Sequence, residues 1–298
     1  MYERIVIPVD GSEEAKHAAQ QGLRLAEVFD ASVNIIHVIE QKTLRLSRTT
    51  EEKKQLRDRS EGVLTEIEEL ASDVGQSVTT TLTEGKPSVQ ISTYADEKNA
   101  DLIVIGRQGM TGLGKRLLGG VTEQVLHQSN SPVLVVPNEI STTETASEYA
   151  RLLISTDGSE TAESATQHGV EVAQHYDSII HVLTVVDLQV SGGVFNAGGL
   201  EKAFVERLEA NGHQFVDKVS TEIEHSDSDL EVETKVTQTT SFNGAAVGIR
   251  EYVTEHDIDL VVMGSHGRSN LKTQFLGSVA STVLRTVDVP VLVVKRTL

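Results

Sequence analysis

Gly264, Gly267, Gly277 and Ser278 stand in a spacing that could hold a phosphate: a glycine, two residues, a glycine, nine residues, then Gly-Ser. The run Leu260–Met263 before them is apolar, and Val279–Val287 after them has helical spacing. A strand therefore ends, a glycine-rich loop follows and a helix begins. Glycine lets the backbone approach an anion closely, and the N–H groups and dipole of a helix start attract negative charge. Ser278 adds a hydroxyl donor. His266 lies inside the loop, where ligand contact and a surface role are both open. The same spacing occurs at Gly106, Gly109 and Gly119, but Gly120 stands where the hydroxyl residue would be. Gly120 keeps a backbone N–H and gives up a donor worth about 1 kcal/mol or somewhat more to a charged phosphate. Lys115 and Arg116 could compensate by charge. One such pattern is a weak signal, because glycine also marks ordinary turns. Two copies with one internal spacing point to a nucleotide phosphate site. In the first copy a purely structural use of the glycines stays open.

Two further residue types could do chemistry. Asp10 and Asp157 each open an Asp-Gly-Ser-Glu turn. Each carboxylate could cap the following helix or contact a ribose or metal, or do both. His37 and His181 lie on apolar strands with no second ligand at metal spacing, so they read as hydrogen-bonded core imidazoles.

The elements that position these residues repeat along the chain. Ile5–Glu13 recurs as Leu152–Glu160, and Asp101–Gly106 as Asp259–Gly264. Pro132–Val136 recurs as Pro290–Val294, and Ile35-Ile36-His37-Val38 is matched to Ile179-Ile180-His181-Val182. The copies differ mainly between the second and fourth strands, where the second copy is longer. Each unit alternates strands and helices. The strands are nearly continuous Ile, Val and Leu, as suits a parallel sheet covered on both faces. Ala15, Ala18, Ala19, Leu23, Ala26 and Val28 trace the apolar face of the first helix, with an N-cap offered by Gly11-Ser12-Glu13. This predicts an α/β doubly wound sandwich, whose ligands sit beyond the carboxyl ends of the strands. Asp10, Asp157 and both glycine loops fall there. The domains are expected at 1–138 and 150–298, joined by a polar linker at 139–149. The glycine-rich stretch Asp187–Gly199 reads as a surface loop, with a flap over the ligand as the other reading.

Composition sets limits. The net charge of −18 argues against nucleic acid as a partner, which would need a basic footprint. It also suits a cytosol of high salt, where repulsion is screened. Lys42, Arg45, Arg48, Lys53, Lys54, Arg57 and Arg59 form one basic stretch, but acids interleave with them. The stretch reads as a solvated helix face, with a docking patch for an acidic partner as the alternative. The chain has no cysteine, which excludes disulfides and thiolate metal sites. No apolar run is long enough to span a membrane and no leader is visible, so a cytoplasmic location is expected.

The tandem copies resemble the universal stress protein family over essentially their full length. Gly264, Gly267, Gly277 and Ser278 match that family's nucleotide signature completely, and Gly106, Gly109 and Gly119 match it up to the departure at Gly120. Asp10 and Asp157 match the family's aspartate after strand one, and Val38 and Val182 its His-Val step. The resemblance implies two Rossmann-like, doubly wound, parallel five-stranded sheets of order 3-2-1-4-5, paired through their fifth strands as a fused dimer. It implies ATP, with ADP or AMP as alternatives, and Mg2+ accompanying the nucleotide. Asp157, Val182, Gly264, Gly267, Gly277, Ser278 and Val279 would form the second site. Asp10, Val38, Gly106, Gly109, Gly119, Gly120 and Val121 would form the first. Partners would be the nucleotide, a second copy of the chain and a protein the sequence does not identify.

Binding is favoured over catalysis. Phosphoryl transfer needs a positioned base, metal-binding groups and a cation on the γ-phosphate. The chain has no Gly-Lys-Ser/Thr phosphate loop. Arg268 and Lys272 could touch phosphate, and Asp157 is the one candidate base. A slow ATPase and a chaperone-like scaffold are the alternatives.

Overall fold

Branched apolar residues fill the middle strands of each unit, and their burial fixes the architecture. Ile5, Val6, Ile7, Ile103 and Val104 are fully buried, as are Leu152, Leu153, Ile154, Val261 and Val262. Strands buried on both faces need helices on both faces, which parallel connections supply. The computed structural model describes residues 1–46, 49–110, 117–137, 149–188, 202–227, 229–241, 244–268 and 276–295. The chain divides into two compact units, Met1–Ile140 and Ser141–Leu298. The expected linker lies outside the described residues apart from Tyr149, as does most of the expected loop or flap after Asp187.

In the first unit the elements are β1 (Arg4–Val9), α1 (Glu13–Phe29), β2 (Ser32–Glu40), α2 (Gln41–Leu46), α3 (Thr50–Asp73), β3 (Val78–Gly85), α4 (Pro87–Glu97), β4 (Leu102–Gly106), α5 (Gly120–Gln128) and β5 (Val133–Val136). Its strands run parallel in the order β3-β2-β1-β4-β5. The second unit has β6 (Arg151–Ser155), α6 (Glu160–Tyr176), β7 (Ile179–Asp187), α7 (Lys202–Ser226), β8 (Val232–Thr239), α8 (Ala245–Glu255), β9 (Leu260–Gly264), α9 (Ser278–Thr286) and β10 (Val291–Val294). Its parallel order is β8-β7-β6-β9-β10. Each unit thus has the 3-2-1-4-5 order that the resemblance implied.

The first helix of each unit starts and stops for local reasons. Ser12 caps α1 by accepting the N–H of Ala15, with Glu13 and Glu14 in the first turn. Ser159 does the same for α6 through Ala162. Both helices end on an aspartate in the left-handed region, Asp30 at φ 50° and Asp177 at φ 53°. The apolar face is Ala15, Ala18, Ala19, Leu23, Leu25 and Ala26; Val28, expected on it, is 39% exposed. The basic stretch lies on α2 and the start of α3. Lys42, Arg45, Lys53, Lys54, Arg57 and Arg59 are exposed there, and Arg48 is outside the described residues. Arg57 pairs with Glu84 of β3, as on a solvated face.

The register of the repeat differs from the letter match. Pairing sets Val9 against His37 in the first unit and Ile154 against Val182 in the second. Asp10 corresponds to Asp157 and Asp30 to Asp177, so the counterpart of Val38 is Val185, and that of His37 is Thr184. Hydrogen bonding agrees: His37 Nδ1 meets the Val9 carbonyl at 2.9 Å, and Thr184 Oγ1 donates to the equivalent Thr156 carbonyl at 2.9 Å. His181 instead corresponds to Asn34. The match of Ile35–Val38 to Ile179–Val182 was three residues out.

Candidate functional site

The second unit collects its candidate residues at the carboxyl ends of β6 and β9. After β6 the chain turns through Gly158, which has φ +74° and packs its α-carbon against the Phe215 ring of α7. Asp157 then fastens two segments with one carboxylate. Its Oδ1 accepts the N–H of Ser159 at 3.1 Å, and its Oδ2 accepts the N–H of Arg268 at 3.0 Å. The aspartate is therefore not the helix cap, which is Ser159; it ties the turn to the glycine loop. Thr161 adds a second tie by donating its hydroxyl to the His266 carbonyl at 2.5 Å.

The glycines have separable duties. A Cβ on Gly264 would lie 2.9 Å from the Thr161 carbonyl carbon and 3.0 Å from the Ala162 nitrogen, so this glycine admits the start of α6. A Cβ on Gly267 would strike the Asp157 carboxylate. Gly277 donates its N–H to the Ser265 carbonyl at 2.8 Å and caps α9 without a side chain. Among the described residues no side chain caps the amide groups at the start of α9. Ser278, the first residue of that helix, is exposed. Ser265 Oγ and His266 Nδ1 are 2.9 Å apart, and the buried His266 Nε2 has no hydrogen-bond partner among the described residues.

Together these residues enclose a cavity of about 230 Å³. Val185, Ile249 and Met263 form its apolar part; Asp157, His266, Arg268 and Ser278 form its polar part. Gly264, Gly267, Gly277 and Val279 also line it. Val182 does not: it is wholly buried inside β7, and Val185 stands at the wall instead. Sequence reasoning missed Val185 because it matched letters. Counting from the paired aspartates Asp10 and Asp157 would have found it.

The first unit repeats the frame with other side chains. Asp10 Oδ1 accepts from Ser12 N at 3.0 Å and Ser12 Oγ at 2.5 Å, and Oδ2 from Met110 N at 2.9 Å. Gly109 packs against this carboxylate, and a Cβ on Gly106 would sit 3.2 Å from the Glu14 carbonyl. Gly119 N donates to Arg107 O at 2.8 Å and caps α5 without a side chain. Gly120 opens that helix, Val121 follows at 39% exposure, and Val38 is half-buried near the end of β2. Arg107 and Gln108, both buried, occupy the places of Ser265 and His266. Gln108 Nε2 donates to the Leu117 carbonyl at 2.5 Å, whereas the equivalent His266 Nε2 has no partner among the described residues. Lys115, Arg116 and Lys272 lie outside the described residues.

The strand histidines are core groups. Burial holds His37 and His181 below the ordinary histidine range, the Val9 carbonyl and Glu233 respectively opposing that shift. His181 Nδ1 meets Tyr252 Oη at 3.1 Å. Among the described residues no cluster of His, Asp or Glu could hold a metal, and no helix is long and apolar enough to cross a membrane.

The model of the universal stress protein family matches residues 1–137 and again 148–295. The chain belongs to this family. A universal stress protein of Mycolicibacterium smegmatis is 28% identical over 98% of this chain and 96% of its own length. One of Methanocaldococcus jannaschii is 36% identical over 46% of this chain and 82% of its own. The solved universal stress protein from Archaeoglobus fulgidus covers 98% of this chain and 96% of its own, with a TM-score of 0.71 at 23% identity, a likeness of fold. Two family matches in one chain make it a tandem universal stress protein.

Proposed function

We propose that this tandem universal stress protein binds ATP, and its relatives ADP and AMP, in the second unit, as a regulatory module whose nucleotide sets its affinity for a protein partner. One observation carries the reading: an apolar pocket of Val185, Ile249 and Met263 opens beside Ser278 onto the start of α9, which no side chain among the described residues caps. The apolar part suits adenine and the helix start suits phosphate. Asp157 keeps lone pairs for a ribose hydroxyl, and Mg2+ would accompany the phosphates. The adenine contact assigned to Val182 passes to the strand near Val185. The first unit is a second, weaker site built on Asp10, Gly106, Gly109, Gly119, Gly120 and Val121.

The site is one that holds nucleotide rather than turns it over. Asp157, the candidate base, already accepts an N–H on each oxygen. A cytoplasmic setting, pairing of the units through their fifth strands and further self-association belong to the same proposal; separately produced halves that associate would support the pairing. Calorimetry with ATP, ADP and AMP tests the reading. One tight and one weak or silent site is expected, with loss of the tight one in Ser278→Glu. Absence of binding refutes it.

A further inference from the structure

The nucleotide reading leaves open which part of the ligand the second unit selects. Arg268 bears on that choice. It lines the cavity and is exposed at its mouth. Its guanidinium lies over the Phe215 ring, 5.1 Å from the centroid, and among the described residues it has no carboxylate partner. The platform is itself fixed, because Phe215 closes on the Gly158 turn, where a Cβ would come within 2.5 Å of the ring. The backbone is fixed too, by the bond from Arg268 N to Asp157. A cation stacked on an aromatic face is held in place while its N–H edge stays free for an anion.

The first unit supplies a natural control. Met110 occupies the place of Arg268, donating the equivalent N–H to Asp10, and is 74% exposed. Val63 occupies the place of Phe215, its methyl 2.9 Å from where a Cβ on Gly11 would sit. The frame is the same, but at these two positions the first unit has neither the cation nor the aromatic platform. Cavity size says where the cation acts. A volume of about 230 Å³ falls below the roughly 300–1,000 Å³ of sites that enclose a whole drug-sized ligand. A nucleoside would fill it and leave a phosphate tail at the mouth.

We infer that Arg268, held by Phe215, is a specificity-determining residue that makes the second unit select nucleoside di- and triphosphates over monophosphates. This rests on the nucleotide reading above. A planar guanidinium can take two oxygens of a terminal phosphate, and each added phosphate gives it more charge to meet.

The test is calorimetry on the full chain with ATP, ADP and AMP, the second-site transition being the one that Ser278→Glu removes. Arg268→Met, which installs the first unit's residue, should weaken ATP and ADP about tenfold and AMP less than twofold. Phe215→Val should produce the same ranking with a smaller loss. The ATP preference should shrink as KCl rises, because the mouth is open to solvent. Wild-type protein that binds all three alike, or an Arg268→Met variant that loses none or loses all three equally, overturns the inference and leaves the nucleotide reading standing. Wild-type protein that binds none of them overturns both.

Discussion

Giving the first unit the hydroxyl it lacks, by Gly120→Ser, should tighten its nucleotide site. Gly120 opens α5 as Ser278 opens α9, and the caps before them agree: Gly119 has φ −65° and ψ 142°, Gly277 φ −60° and ψ 150°. Gly120 itself is not among the residues with positive φ, and a Cβ built on it meets no described atom within 4 Å. Serine therefore enters without strain. Replacing a helical glycine should also stabilise the fold by about 0.3–0.5 kcal/mol, or roughly 1–2 °C in melting temperature. A hydrogen bond to a charged acceptor contributes about 1.5–3 kcal/mol. Solvent at the helix start favours the lower end, so the affinity gain should be somewhat over tenfold. Calorimetry of the full chain with ATP measures it: two unequal transitions in the wild type should draw together in the variant. A variant that melts no lower yet binds ATP no better refutes the reasoning. It would show that Arg107 and Gln108, or the loop closed by the Gln108–Leu117 bond, set the weakness of that site.

Gly277→Val should abolish second-site binding while leaving the unit folded, because the added Cβ meets the Ser265 carbonyl at 3.2 Å and fills the anion approach; Ser278→Glu should do the same by repulsion. ATP titration with a melting curve checks both. Gly264→Ala should act on stability instead, costing about 1–3 kcal/mol in denaturant titration, since its Cβ meets backbone of α6 at 2.9–3.0 Å. Stability should fall with pH below about 6.5, because buried His37 and His181 resist protons that the unfolded chain accepts. Their folded values lie below the unfolded one, so the loss grows as pH drops through that window. His181→Asn, which copies Asn34, should flatten the slope; denaturant midpoints from about pH 7.5 to about pH 5.5 with equal slopes in both proteins would refute this.

Much of the fold could be read before any coordinates. The Ile and Val runs, the serine caps and the repeat led to the strand order, because each is a local preference that the packing reinforces. Gly106 and Gly264 end strands, and Gly120 and Ser278 open helices, as the spacing predicts. The failures were of register. A slip of three along a strand is odd, so it moves every side chain to the other face of the sheet. His181 consequently meets Tyr252 of α8, while the hydrogen bond expected from its copy of His37 belongs to Thr184. Apolar strand letters are too alike to fix register; the lengths of α1 and α6 fix it. The double tie made by each aspartate was also out of reach, because Met110 and Arg268 lie about a hundred residues away in sequence and donate only backbone.

The central position of β1 and β6 bears on how the chain is made. Each sheet starts from its middle strand, and every later strand is laid beside one already present. Ribosomes release about 5–20 residues per second, so β6, which begins at Arg151, follows the end of β5 at Val136 by about 1–3 s, and the rest of the second unit comes later still. All five strands of the first unit are therefore made before the second unit offers a competing one. A chain renatured whole from denaturant has no such head start, since β1 and β6 then compete for β2 and β7 at once. Recovery in the test tube should accordingly be slower and less complete than synthesis in the cell.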